Sequence, residues 1–263
     1  MRIWLLAGAL SLVAWSATAQ DGSGQKTGTS FIDRFTTPLD RKRWYISHGW
    51  ANGPHQNCTW IDTNVRVEGS VALSLTDKPS ADRPFTCAEI QTREFYGYGT
   101  YEVRMRSVAA PGTVSAFFTF TGSPHGPQRP HDEIDFEFLG KSPNQVFLNY
   151  FARGRKHEQY VPLPFDATAT TNDFAFEWTA EGIRWFANGR LIREALASSG
   201  ADLPTTPQKV YLSIWNGTGW DQEAWLGRFA YPGRPLVAMF ERVAFTEAGA
   251  PCQFPESVVC RKP

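Results

Sequence analysis

Short segments in which apolar and polar residues alternate recur along the chain. In Thr100–Arg106, Tyr101, Val103 and Met105 alternate with Glu102, Arg104 and Arg106. Successive side chains of a β-strand point to opposite faces, so such a segment buries one face and wets the other. Thr113–Thr121 (TVSAFFTFT), Gln145–Ala152 (QVFLNYFA), Asp173–Trp178 (DFAFEW), Gln208–Trp215 (QKVYLSIW) and Leu236–Phe245 (LVAMFERVAF) predict further strands. Ile183–Ala187 and Arg190–Arg193 flank Asn188-Gly189, a pair suited to the positive φ angles of a two-residue hairpin. Helical periodicity is scarce. Many short strands separated by Gly, Pro and Asn turns predict an all-β sandwich or barrel.

One segment departs from ordinary amphipathic alternation. HDEIDFEFLG (His131–Gly140) carries Asp132, Glu133, Asp135 and Glu137, with Ile134, Phe136 and Phe138 between them. As a strand it sends Glu133, Asp135 and Glu137 to one face and the three apolar residues to a core. A solvated strand face usually mixes lysine with glutamate, because like charges side by side repel. Three readings stand: a catalytic face, a metal site or plain surface. At about 3.3 Å per residue the Cα atoms of Glu133 and Glu137 lie about 13 Å apart, and inward-leaning side chains bring the carboxyls to about 5 Å. That matches the separation of the two carboxyls in retaining glycosidases. Asp135, shorter and between them, is placed to hydrogen-bond a neighbour and to raise the pKa of one carboxyl. Calcium would suit oxygen ligands, but its sites usually draw on glycine-containing loops and carbonyls.

Composition narrows the setting. Arg2 followed by the apolar run Ile3–Trp15 and the small residues Ala17-Thr18-Ala19 predicts a cleaved export signal over residues 1–19. Residues 20–29 are polar and glycine-rich and predict a flexible lead-in. The remaining length suits one large all-β domain. Lys plus Arg equals Asp plus Glu at 26 each with no basic run, which excludes a nucleic-acid binder by its usual footprint. The four cysteines lack CxxC spacing, against a zinc or redox role. Three pairings are open to them, and outside the cytoplasm oxidation is the default. Cys252 with Cys260 closes a short loop, which leaves Cys58 with Cys87. The chain has no GxSxG, HExxH or P-loop, and its five histidines show no metal-ligand spacing, so surface or hydrogen-bonded loop positions are expected for most.

Glu133-Ile-Asp-Phe-Glu137 resembles the E-I-D-x-E signature of glycoside hydrolase family 16, which includes the bacterial lichenases (endo-β-1,3-1,4-glucanases). NCTW (Asn57–Trp60), YGYGTYEVRM (Tyr96–Met105), SAFFTFTG (Ser115–Gly122), HDEIDFEFLGK (His131–Lys141) and IWNGTG (Ile214–Gly219) are similar to lichenase segments in the same order. The tail Phe245–Cys260 resembles that of exported rhizobial endoglycanases acting on exopolysaccharide such as succinoglycan. The resemblance covers nearly all of residues 30–260. It implies a jelly-roll sandwich of two curved antiparallel sheets with a glycan cleft, a catalytic domain over 30–247, and a tail over 248–263 with its short disulfide loop. It implies Glu133 as nucleophile, Asp135 as assisting acid and Glu137 as general acid/base, and it agrees with a Cys58–Cys87 disulfide. Glycan contacts are implied at Trp50, Asn52, Glu89, Phe118, Asn149 and Trp215, where flat rings can pack on sugars and polar groups can bind hydroxyls. Trp44, Trp178 and Trp185 are left to the core or the back of the sandwich.

The chain departs from lichenases at several substrate-contact positions. His131 stands where tryptophan is usual, Gln91 for arginine, Ser213 for asparagine, and Phe120 and Phe151 for tyrosines. Glu241 stands for the aspartate of the family's structural calcium site, so no cofactor is required and calcium is left open. The expected protein is an exported monomeric endo-β-glucanase, secreted or periplasmic, whose partner is a polysaccharide and which stays off the membrane after signal cleavage. Two rivals are a transglycosylase of the same family and a non-catalytic glycan-binding protein on the same fold.

Overall fold

The computed structural model describes residues 27–36, 38–252 and 254–259. The predicted export signal and Cys260 lie outside them. Two sheets of eight and nine strands make up the molecule. The back sheet runs Arg190–Leu196, Gly182–Ala187, Asn172–Trp178, Gly99–Arg106, Leu236–Glu247, Val71–Leu75, Val65–Val67, with Phe31–Asp33 also paired to Leu236–Glu247. The groove sheet runs Arg155–Lys156, Gln145–Ala152, Asp132–Leu139, Thr113–Thr121, Lys209–Asn216, Phe85–Thr92, Trp44–Ile46. Gln159–Pro162 adds to Gln145–Ala152 in antiparallel fashion, and Cys58–Trp60 lies parallel to Phe85–Thr92. This is the two-sheet antiparallel sandwich that the alternating pattern and the resemblance led one to expect. The one α-helix among the described residues, Trp220–Leu226, buries Leu226 in a cluster with Val114, Ala116, Leu139 and Phe147 of the groove sheet.

The core between the sheets is aromatic. Trp44, Trp60, Trp178, Trp185, Tyr101, Phe117, Phe136 and Phe176 are fully buried. Phe117 lies 6.3 Å from Phe136 and 5.7 Å from Phe176, joining both sheets through ring contacts. Trp44, Trp178 and Trp185 thus take the core positions expected of them. Ile134, Phe136 and Phe138 enter this core, which fixes the opposite face of Asp132–Leu139 toward the groove. A one-residue slip would put three carboxyls among rings, so the register is strongly specified.

Local signals end the strands as the residues dictate. Asn188 and Gly189 both have positive φ (47° and 77°), and Asp173 N–H donates to Asn188 Oδ1 at 2.9 Å, so the tight hairpin forms as read. Gly140 ends the acidic strand where a Cβ would stand 2.1 Å from the Ala110 carbonyl oxygen. Cys58 and Cys87 form a disulfide across the parallel strand pair. Cys252 is also oxidised. The chain beyond Glu247 folds back on the sandwich: Glu256 pairs with Arg34, and Val258 N–H donates to buried Glu102 at 2.9 Å.

Candidate active site

The groove sheet carries a cleft of about 1360 Å³. Its floor can be read as rows of residues paired across strands. One row is Phe151, Glu133, Phe120 and Lys209; the next is Asn149, Asp135, Phe118, Tyr211 and Gln91; a third is Phe147, Glu137, Ala116, Ser213 and Glu89. All of these residues line the cleft, so the three carboxyls of the acidic strand stand on the second strand of a five-strand floor, beside its middle strand Thr113–Thr121.

Their environments differ. Asp135 is 3% exposed and hydrogen-bonds to Glu133. Burial, then the charges of Glu133 and Glu137, push its pKa well above the usual carboxylate range, opposed in part by Arg193. Protonated, Asp135 is the donor in that bond. Glu137 is pushed up to about 8, first by burial and then by the charges of Glu133 and Glu158. Glu133 also meets His131, whose Nε2 lies 2.5 Å from Glu133 Oε2. The strand therefore holds two carboxyls, Asp135 and Glu137, that burial and like charge push toward the protonated form, as an acid catalyst requires.

The other expected contact residues line the same cleft. Trp50 is exposed at the rim and makes an edge contact with Trp60 at 6.5 Å. Asn52 accepts from Trp60 Nε1 at 3.2 Å. Phe118 stacks on Tyr211 at 4.8 Å, and Trp215 packs near Trp225 at 6.3 Å. Asn149 Oδ1 accepts from His157 N–H at 3.1 Å. Glu89, 2% exposed, accepts from Ser47 Oγ at 2.7 Å, and burial raises its pKa to about 7. The substituted positions Gln91, Ser213, Phe120, Phe151 and His131 line the cleft as well.

Some of the site went unread in the sequence. Tyr45, Lys209, Tyr211 and Trp225 line the cleft, as do His55 and His125. Tyr211 hydroxyl is 2.9 Å from His125 Nε2, and Arg193 reaches in from the back sheet to donate to the Leu148 and His157 carbonyls. Tyr211 and Lys209 could have been found from the strand period, since they share the Trp215 face. Arg193 carries no such signal. Asp132, the fourth acid, is fully buried and turned away from the cleft. It accepts three backbone N–H bonds, from Arg153, Thr205 and Thr206 at 2.8–3.0 Å, and ties two loops to the strand's start.

Glu241 gives its carboxylate to Arg104 at 2.9 Å, and no cluster of three or more His, Cys, Asp or Glu side chains suited to a metal occurs among the described residues. The side chains present at Glu241 therefore do not by themselves form a calcium donor set.

A cleft floored by three carboxyls on one strand of a β-sandwich, two of them with raised pKa, is an arrangement suited to a glycoside hydrolase. The profile of glycosyl hydrolases family 16 matches residues 52–231. The endo-1,3-1,4-β-glycanase ExoK of Rhizobium meliloti is 42% identical over 234 residues, covering 88% of this chain and 84% of that protein. A β-glucanase of Bacillus subtilis is 40% identical over 242 residues, 90% of this chain and 93% of that one. The solved β-glucanase of Bacillus licheniformis superposes with a TM-score of 0.77 at 38% identity, covering 84% of this chain and all of its own. The chain belongs to glycosyl hydrolases family 16.

Proposed function

We propose that this protein is an endo-acting, retaining β-glucanase cutting β-1,3-1,4-type linkages in a polysaccharide, either a mixed-linkage glucan or a bacterial exopolysaccharide such as succinoglycan. The observation that carries the reading is that Glu133 and Glu137 share one face of one strand in the cleft, with the pKa of Glu137 pushed up to about 8. Glu133 attacks the anomeric carbon from below while the Glu137 proton passes to the departing glycosidic oxygen, so one C–O bond forms as another breaks. Once Glu133 is an ester its negative charge is gone, and that charge is part of what holds the Glu137 proton. Glu137 becomes a stronger acid at the moment it must be a base, and takes a proton from the water that releases the sugar. Asp135 keeps its hydrogen bond on Glu133 throughout and positions it.

Trp50, Phe118 and Trp215 offer ring faces to the chain of sugars, and Asn52, Glu89 and Asn149 offer polar groups to its hydroxyls. An oxidised Cys58–Cys87 pair and a polymeric substrate support export to a secreted or periplasmic site, with residues 1–19 as the signal. No helix among the described residues is long and apolar enough to cross a membrane.

The test is azide rescue with an aryl β-glycoside carrying a good leaving group. Glu133→Ala should lose turnover and regain it with azide as an α-glycosyl azide, because azide fills the vacated face. Glu137→Ala should yield the β-glycosyl azide instead. A β product from Glu133→Ala, or none, would overturn the assignment. Reducing-end release on lichenan, laminarin, xyloglucan and succinoglycan then identifies the polymer, and a labelled acceptor growing longer would favour transglycosylation.

A further inference from the structure

We infer that His131 is a positioning residue for the reaction, holding Glu133 ionised and aimed, an inference that rests on Glu133 being the nucleophile. His131 Nε2 is 2.5 Å from Glu133 Oε2. A nucleophile must be a carboxylate, which offers only acceptors, so in the attacking form of Glu133 Nε2 carries the hydrogen of this bond. The ring is not free to swing away. It stacks on Phe151 with centroids 4.2 Å apart and planes 19° from parallel, and it meets the edge of Phe120 at 5.3 Å and 80°. Phe151 and Phe120 are the two cross-strand neighbours of Glu133 itself. The imidazole is therefore clamped above the nucleophile by the residues that flank it. Gly154 N–H also donates to the His131 carbonyl at 2.8 Å, and the next residue, Asp132, is tied by three backbone bonds.

The chemistry follows from what surrounds the pair. Asp135 and Glu137 face it from the same strand, Tyr211 and Lys209 from Lys209–Asn216, His125 from the neighbouring 3-10 turn, and Lys156 from beyond Phe151. Arg193 and Glu158 act on Asp135 and Glu137. In this setting the His131 donor, added to that of Asp135, favours the charged form of Glu133 and fixes its aim. The same bond steadies the carboxylate when it departs from the sugar in the second step. The replacements at Phe120, Phe151 and His131 then form one unit: two phenyl rings in place of tyrosines make an apolar slot that holds an imidazole.

Two variants test this. His131→Phe keeps an aromatic ring in the slot and removes the donor. His131→Gln removes the ring and keeps a donor nitrogen at similar reach that does not titrate. His131→Phe should lower kcat roughly 10–100-fold, the worth of a hydrogen bond to a charged group, with KM within about threefold. The acid limb of its kcat/KM profile should move up by about one pH unit while the basic limb stays. His131→Gln should restore most of kcat and return the acid limb. An unmoved acid limb in His131→Phe, a loss confined to KM, or a His131→Gln no better than the phenylalanine would overturn the inference. Azide rescue of Glu133→Ala separates the two levels: an α-azide with an unmoved limb sinks only the role of His131, whereas no α-azide sinks the nucleophile assignment as well.

Discussion

If the charge of Glu133 helps hold the proton on Glu137, then Glu133→Gln should make Glu137 more acidic while leaving it far from ordinary. Raising a glutamate from 4.5 to about 8 costs its ionised form about 5 kcal/mol. Burial is the larger cause and the Glu133 charge the next, so the charge supplies less than half. Coulomb's law sets an upper bound: two carboxylates about 5 Å apart interact by roughly 3 kcal/mol at an effective dielectric constant near 20, and the smaller share left after burial is about 2 kcal/mol. Removing that interaction should increase the acidity of Glu137 about thirtyfold and bring its pKa to roughly 6.5. Glutamine is nearly isosteric, so the groove should keep its shape. Carboxyl-labelled glutamate followed by carbon NMR through a pH titration reads the change directly, with Glu137→Gln assigning the resonance. A Glu137 that still titrates near 8 would show that the nucleophile's charge plays no part. One that falls to 4.5 would show that burial plays none. Either result refutes the account of how one carboxyl serves as acid and then as base.

Two further outcomes follow from the same structure. Glu89 titrates at about 7 in the folded protein against 4.5 ordinarily, so it takes up a proton on folding and its contribution is fully present below pH 4.5 and lost as pH rises through 7. Urea unfolding should show wild type losing about 3 kcal/mol relative to Glu89→Gln between pH 4 and pH 8, and a difference that stays flat would refute this. Replacing Cys58 and Cys87 together by serine opens a loop with a sequence separation of 29, which should lower stability by about 3.5 kcal/mol at pH 7 by the loop-entropy relation. Equal denaturation midpoints with unchanged slopes would count against it.

Much of this molecule was written along the chain because strand periodicity is local. The alternation in Asp132–Leu139 separates Glu133, Asp135 and Glu137 from Ile134, Phe136 and Phe138, and any structure that buries those rings must present those acids together. The Asn188-Gly189 turn follows equally from the backbone preferences of two residues. Phe85–Thr92 was harder to see by pattern because seven of its eight residues are buried, so both faces are covered and the alternation is lost. Asp132 looked like a fourth member of the acidic cluster; its parity places it on the other face, but only the loops around Arg153 and Thr205 decide that it is a structural anchor.

What tertiary structure alone decided is who meets the acids. Glu89 comes into the groove three strands from Glu137 in the row through Ala116 and Ser213, and nothing in its neighbours along the chain signals a buried carboxyl with a raised pKa. Arg193 reaches Asp135's surroundings from the other sheet. His131 reads in the sequence as a replacement at a substrate-contact position, whereas in the fold it is held between Phe151 and Phe120 with its nitrogen on Glu133. Residues within one strand share a face by geometry, so the sequence contains that information. Contacts between strands depend on register and on which strands become neighbours, and those are settled only when the core closes.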